Sequence, residues 1–394
     1  MPAGAQGVSS CRDGLRTAAR IMETMDSRTV VIVGAGVVGV AVAAAAAARF
    51  SEVYLMEARP KPGMMTSSRN SGVLHSGIYY APGSLKGRLC LRGNLLLREF
   101  CDRHGVPWRA CGKLIVAAEP AQEAALAALF RRGQGNGVEG LAWLDGAGAR
   151  RREPQVRAYA AIAVPSAGVL NADALVRALL RLATDRGAAF APGTQLVAAE
   201  ARGGRIRLRS NGEDFLADLV VNAAGLHADD VARMFGETRY QIHPMRGEYC
   251  HIHPRRLEWV RGLIYPLPTP MSLGMHATRT VDDSLLLGPT AHPVADKEDY
   301  EAGWPPLEFF LEQGRHLFPA LEAEDLTPAY SGIRPKLVLP AGDERQVTAR
   351  PPEGDFVVAR DDRHPGVIHL IGIESPGLTA CLSLAEDVLA LLLA

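Results

Sequence analysis

A chain of 394 residues, with 47% apolar and 22% charged side chains, has the length of two or three domains and the composition of an ordinary globular protein. Its 43 Lys and Arg balance 43 Asp and Glu, so there is no global basic field, which argues against nucleic acid as the main partner. The six cysteines (Cys11, Cys90, Cys101, Cys111, Cys250 and Cys381) form no CxxC pair and stand at no metal-ligand spacing, so reduced thiols and no metal are expected.

Residues 1–27 lack the apolar core of a secretory signal, and Arg12, Arg16 and Arg20 share one helical face, so a disordered or targeting extension is expected there. Val30 to Val33 and Val53 to Met56 read as strands around an Ala-rich helix. Lys61 to Gly77 is a Gly/Ser/Thr loop, and Ser84 to His104 a helix capped by Ser84. Next come a strand at Cys111 to Ala118, a helix at Ala121 to Gly135, a strand at Ala161 to Val164 and a helix at Asn171 to Arg186. Gln195 to Glu200, Ile206 to Ser210 and Phe215 to Val221 predict three strands, and Asp218 to Ala232 a strand, turn and helix. The chain is β-rich from Tyr240 to Pro289 and returns to helix around His316 to Leu321. It closes with strands at Phe356 to Val358 and Val367 to Ile371 and a helix from Pro376 to Leu393. No run of 18 apolar residues predicts a membrane-spanning helix. The expected location is cytoplasmic, with a peripheral position on the inner face of a membrane left open.

The first strand, turn and helix carry Gly34-Ala35-Gly36-Val37-Val38-Gly39, and the second strand ends at Glu57, about 20 residues on. Gly34 permits the tight turn, Gly36 lets the backbone approach a pyrophosphate, and Gly39 lets helix and strand pack closely. The helix N-terminus faces the phosphates, and Glu57 accepts hydrogen bonds from a ribose. Taken alone this motif allows NAD, NADP or FAD. Three further segments favour FAD. The strand Val220 to Asn222 leads into a small-residue turn at Ala223-Ala224-Gly225. The turn from Gly372 to Thr379 opens a helix whose N-terminus suits the flavin carbonyl that becomes anionic on reduction. The loop Thr66-Ser67-Ser68-Arg69-Asn70-Ser71-Gly72 supplies hydroxyls and a guanidinium for the pyrophosphate.

Together with the segments NSGVLHSGIYYAPGSLK (70–86), CGKLIVA (111–117), RGEY (246–249) and GIRPK (332–336), these motifs resemble the D-amino-acid-oxidase superfamily of FAD enzymes. The branch most similar is that of the L-2-hydroxyglutarate dehydrogenases and oxidases, and the resemblance runs from Thr29 to Ala394. The chain departs from that branch at Ser68-Arg69, where Gly-His is usual before Asn-Ser-Gly, in its closing turn GIESPGLTA, and in a short segment between Pro289 and Pro319. The resemblance implies an α/β protein. It comprises a discontinuous Rossmann-type FAD-binding domain (28–105, 165–238 and 328–394) and an inserted α+β substrate domain on an antiparallel sheet (106–164 and 239–327). It implies FAD contacts at Gly34, Gly36, Val37, Val38, Gly39, Glu57, Arg59, Thr66, Ser67, Asn70, Ser71, Gly72, Val197, Ala224, Gly225, Gly372, Gly377, Leu378 and Thr379.

A 2-hydroxy acid needs a cation for its carboxylate, preferably a bidentate Arg, and a base for its hydroxyl proton. Arg246 and Arg334 are the candidates for the first role. In amino-acid oxidases that resemble this chain, an Arg in a Gly-X-Arg-Pro context holds the carboxylate, which is the setting of Arg334. His75, after the FAD loop, and His276, on a strand of the β-rich block, compete as the base. Tyr249 and Tyr265 are candidate hydroxyl donors, and Lys113 is either a flavin or substrate contact or a solvated strand residue. The expected reaction is FAD-dependent oxidation of a small L-2-hydroxy acid to the 2-keto acid, with quinone or oxygen as the electron acceptor. An amino-acid or imino-acid oxidase of the glycine or sarcosine type and a non-catalytic flavin-binding protein are the alternatives.

Overall fold

The computed structural model describes residues 25–268, 273–338 and 354–394. The first 24 residues of the expected extension, and Cys11 with them, lie outside these; the end of that extension already belongs to the first strand, Asp26–Val33.

Two sheets organise the described residues. A six-stranded sheet runs in the order Val357–Arg360, Val367–Ile371, Leu219–Asn222, Asp26–Val33, Phe50–Glu57, Ala189–Pro192, with only the Val357–Arg360 edge antiparallel. Its central strands are apolar on both faces because both are covered: Val30, Val31, Ile32, Val220 and Val221 are fully buried. Helices Val37–Ala46, Ala172–Asp185, Leu85–His104 and Gly377–Leu393 pack on one face. The ribbon of Leu196–Arg202, Arg205–Ser210 and Phe215–Ala217 covers the other, through Leu196, Ile206 and Leu208.

The second sheet has nine strands. Gln241–Ile252 pairs along its whole length with Leu326–Val338, and on its other side with Leu285–Gly288. From there the sheet continues through His276–Arg279, Leu263–Pro266, Lys113–Ala117, Ala160–Val164 and Ala142–Asp145. Helix Leu307–Arg315 covers one face and helix Glu123–Gly135 the other. The five described cysteines are free thiols, and no described helix is long and apolar enough to cross a membrane.

Two expected elements fall differently. The helix placed at His316 to Leu321 ends at Arg315, because Pro319 bars Phe318 from helical geometry and offers no N–H of its own. The strand expected from Phe215 to Val221 is two strands. Asp218 breaks it, its carboxylate accepting from Thr29 N–H at 2.7 Å, and the chain passes there from the ribbon into the parallel sheet.

Candidate active site

A cavity of about 710 Å³ lies between the two sheets. At one end stands the glycine turn. Gly34 has φ +101°, open to glycine but strained for other residues, and a Cβ on Gly39 would lie 1.8 Å from the Gly34 carbonyl oxygen. The helix that follows starts at Val37, its N-cap Gly36 has no side chain to offer, and its positive end opens onto the cavity beside Gly36, Val37 and Val38. Ser67 Oγ accepts from Val37 N–H at 2.9 Å. Glu57 closes the turn from the second strand, accepting from Ala35 N–H at 2.8 Å and Arg59 N–H at 2.9 Å. Thr66, Ser67, Asn70 and Ser71 line the cavity; Asn70 stiffens its own loop, donating to Ser67 O and accepting from Gly72 N–H.

The other end is built by the second sheet and the closing turn. Met245 faces Arg334 across the ladder, so these two, with Gly247, Tyr249, Gly332 and Lys336, share the cavity side by strand alternation. Among the described residues, Arg334 reaches only the Thr290 carbonyl, at 3.3 Å, and no carboxylate. Tyr265 and His276 stack at 3.7 Å with planes 13° apart. His276 Nδ1 lies 2.9 Å from the Gly274 carbonyl, which can only accept, so Nδ1 carries the proton and Nε2 presents a lone pair. That Nε2 is buried without a partner among the described residues, and burial holds the imidazole neutral, pushing its pKa down to about 3. His75 is also held well below the usual range, by burial first and then by Lys113 and His276. Its Nε2 shares a 3.1 Å hydrogen bond with Ser375, and its backbone N–H donates to Thr379 Oγ1 at 2.9 Å. Among the described residues, five cations line the cavity (Arg69, Lys86, Arg132, Arg334 and Lys336) against one carboxylate, Glu374, which is paired with Lys86 at 2.8 Å.

Residues 29–391 match the DAO family of FAD-dependent oxidoreductases. The chain belongs to that family. It is 34% identical over 404 residues to the mitochondrial L-2-hydroxyglutarate dehydrogenase of Arabidopsis thaliana, covering 91% of this chain and 82% of the relative. It is 30% identical to the L-2-hydroxyglutarate dehydrogenase of Salmonella houtenae, over 91% of this chain and 92% of the relative. Among solved structures, FAD-bound L-alpha-glycerophosphate oxidase from Mycoplasma pneumoniae superposes with a TM-score of 0.83 at 24% identity, over 94% of this chain and 96% of that one. The fold is therefore that of DAO-family enzymes, and the cofactor is FAD. The cavity fits it. A helix N-terminus and a glycine turn of the kind that suits a pyrophosphate open onto the cavity, and the surplus of cations suits such a charge. Buried polar atoms left without partners, His75 Nδ1, Tyr79 Oη and His276 Nε2, belong to residues lining the far end.

For this DAO-family chain, the expected site residues divide into three sets. Gly36, Val37, Val38, Thr66, Ser67, Asn70, Ser71, Gly225, Gly377 and Leu378 line the cavity, as do His75, His276, Tyr249, Tyr265 and Arg334. Gly34, Gly39, Glu57, Gly72, Ala224, Gly372 and Thr379 do not line it; Gly34, Gly39, Glu57 and Thr379 brace the turns that do. Three are misplaced. Arg246 is one residue out of phase with Met245, Gly247 and Tyr249, so it points to the other side of the sheet. There it is buried against Glu248 at 2.6 Å, Asp299 at 3.0 Å and the Ala302 carbonyl. Arg59 extends outward to an exposed pair with Glu298. Val197 is 50% exposed on the ribbon, because its neighbour Leu196 takes the core-facing position. Tyr79, Lys86, Arg132, Lys336 and Ser375 line the cavity without having been expected. Lys336 was findable, two residues beyond Arg334 on the same strand face; Arg132 sits on a surface helix and gives no sequence signal.

Proposed function

We propose that this enzyme oxidises a small L-2-hydroxy acid, of the 2-hydroxyglutarate kind, to its 2-keto acid. FAD, when bound, supplies the two-electron acceptor for the hydride at C2. The chain's own residues do the rest. Arg334, with no acid to neutralise it, holds the carboxylate by its planar fork, and Tyr249 and Tyr265 close around it. An imidazole takes the hydroxyl proton, His276 through its free Nε2 or His75. Apolar packing around Tyr265 keeps water out of that end. Electrons then pass to a quinone or to oxygen, in the cytoplasm or at the inner face of a membrane.

The observation that carries this reading is a neutral His with an unpartnered Nε2 in the same cavity as an Arg without a carboxylate. Relatives named L-2-hydroxyglutarate dehydrogenase support the substrate class. The test is anaerobic mixing of the yellow protein with L- and D-2-hydroxyglutarate, shorter 2-hydroxy acids, glycine, sarcosine and glycerol 3-phosphate, read by bleaching of the flavin absorbance. Bleaching by L-2-hydroxyglutarate is expected. Bleaching by the amines or glycerol 3-phosphate, with none by hydroxy acids, refutes the proposal.

A further inference from the structure

Lys113 opens the strand Lys113–Ala117 and is only 3% exposed. Its neighbour in the ladder is Leu263, so it shares a sheet face with Leu263 and Tyr265. The ammonium nitrogen sits 3.8 Å from the Tyr265 ring centre and 5.1 Å from that of Tyr79, and it has no hydrogen-bond acceptor among the described residues. His276 stacks on the same Tyr265 ring at 3.7 Å. An imidazole and an ammonium both within 4 Å of one ring centre cannot occupy the same face, so Tyr265 is sandwiched between them.

Among the described residues, every group that faces Lys113 is uncharged or cationic. His75 and Tyr79 come from the segment after the FAD loop, Cys90 from helix Leu85–His104, Cys111 from its own strand's approach, and Tyr265 and His276 from the next strands; Arg334 acts on His276 from further along the sheet. The thiols of Cys90 and Cys111 are pushed up by burial and stay neutral. Among the described residues no carboxylate compensates the lysine. A buried ammonium without an anion is costly, and an apolar residue of similar length would pack there more favourably. Such a local violation is expected where function requires it.

We infer that Lys113 is a positioning residue that tunes the imidazoles of His75 and His276, which burial already holds neutral, by standing a buried positive charge on the far face of the Tyr265 ring from His276, so that the ring that takes the substrate proton binds it less tightly. Burial lowers the proton affinity of both rings most, and the positive charge of Lys113 acts in the same direction. The inference rests on the proposed role of the imidazoles.

The experiment is an NMR titration of the imidazole resonances of His75 and His276 in the flavin-loaded protein without substrate, so its failure is separate from that of the substrate panel. In wild type the imidazole shifts should show a step near neutral pH as Lys113 titrates. In Lys113→Met the protonation of the imidazoles should move upward by about one to two pH units, from a unit charge acting across the Tyr265 ring at about 7 Å through an effective dielectric constant near 20. Lys113→Arg, which keeps the charge, should retain the wild-type protonation and lose the neutral step. The acid limb of kcat/KM should move with the imidazoles. A merely structural lysine would lower activity without moving either titration. Coincident imidazole titrations in wild type and Lys113→Met overturn the inference. So does the absence of the neutral step in wild type, which needs no variant to fold.

Discussion

Replacing Lys113 by Met should stabilise the protein at neutral pH, and the gain should vanish in alkali. Burial lowers the lysine pKa from 10.5 to about 7. A lowered folded-state pKa means that the unfolded chain binds the proton more tightly. The lysine therefore costs nothing above pH 10.5, and its penalty grows as the pH falls towards 7. At pH 7 a gap of that size amounts to roughly 4 kcal/mol. Contact of the ammonium with the two tyrosine faces returns on the order of 1–2 kcal/mol, leaving a net gain of about 2–3 kcal/mol for the Met variant. For a chain of this length that raises Tm by about 3 °C. Calorimetry of the flavin-loaded wild type and Lys113→Met at pH 6, 7, 8, 9 and 10 gives the answer. The Tm difference should be largest at or below pH 7 and close by about pH 10. A constant difference across the series, or a variant less stable than wild type at pH 7, refutes the reasoning.

Other expectations follow from the same geometry. Arg334→Ala should raise KM and lower kcat/KM by about 10²-fold or more, and Arg334→Lys should restore little of it, since a point charge cannot reproduce the fork; steady-state kinetics with a dye acceptor decide this. His276→Asn should lower kcat by about 10²- to 10⁴-fold with flavin content unchanged, which the ratio of flavin to protein absorbance checks. Gly39→Ala sets a Cβ 1.8 Å from the Gly34 carbonyl oxygen, a backbone clash that no rotamer relieves, so purified protein should be colourless or insoluble. Arg246→Met leaves the buried Glu248 with His292 and Thr290 but without its guanidinium and should destabilise by about 2–4 kcal/mol in denaturant unfolding, while KM in the surviving folded enzyme stays near wild type.

What could be read in the sequence follows the range of the interaction that fixes each feature. The glycine turn and Glu57 were legible because backbone sterics fix their spacing: a Cβ on Gly39 would collide with the Gly34 carbonyl oxygen, and one on Gly34 with the Ala223 backbone. The exclusion of Arg246 was also legible in principle: it is three residues from Tyr249 on one strand, and an odd separation puts two side chains on opposite faces. Pro319 likewise marked the end of a helix expected to pass it. Lys113 was not legible, because the prior for a strand-end lysine is a solvated one. Its burial arises only when helix Leu85–His104, the segment of Tyr79 and three strands close over it. The approach of Arg132 and Lys86 to a common cavity is a tertiary fact of the same kind.

The two histidines, equal candidates in the sequence, differ in their surroundings. The closing turn holds His75 twice, Thr379 by its backbone N–H and Ser375 at Nε2. Residues some 300 positions apart in the chain thus fix one ring, tying the flavin-side loop to the helix Gly377–Leu393. His276 is held only at Nδ1, by a carbonyl that settles its tautomer, and stacks on Tyr265 with Nε2 unengaged. A base must be fixed in orientation yet free at the atom that takes the proton, and of the two rings His276 meets both conditions. The arrangement therefore favours His276 as the proton acceptor and His75 as the brace between loop and closing helix. Lys113 stands on the far face of the ring against which His276 is stacked.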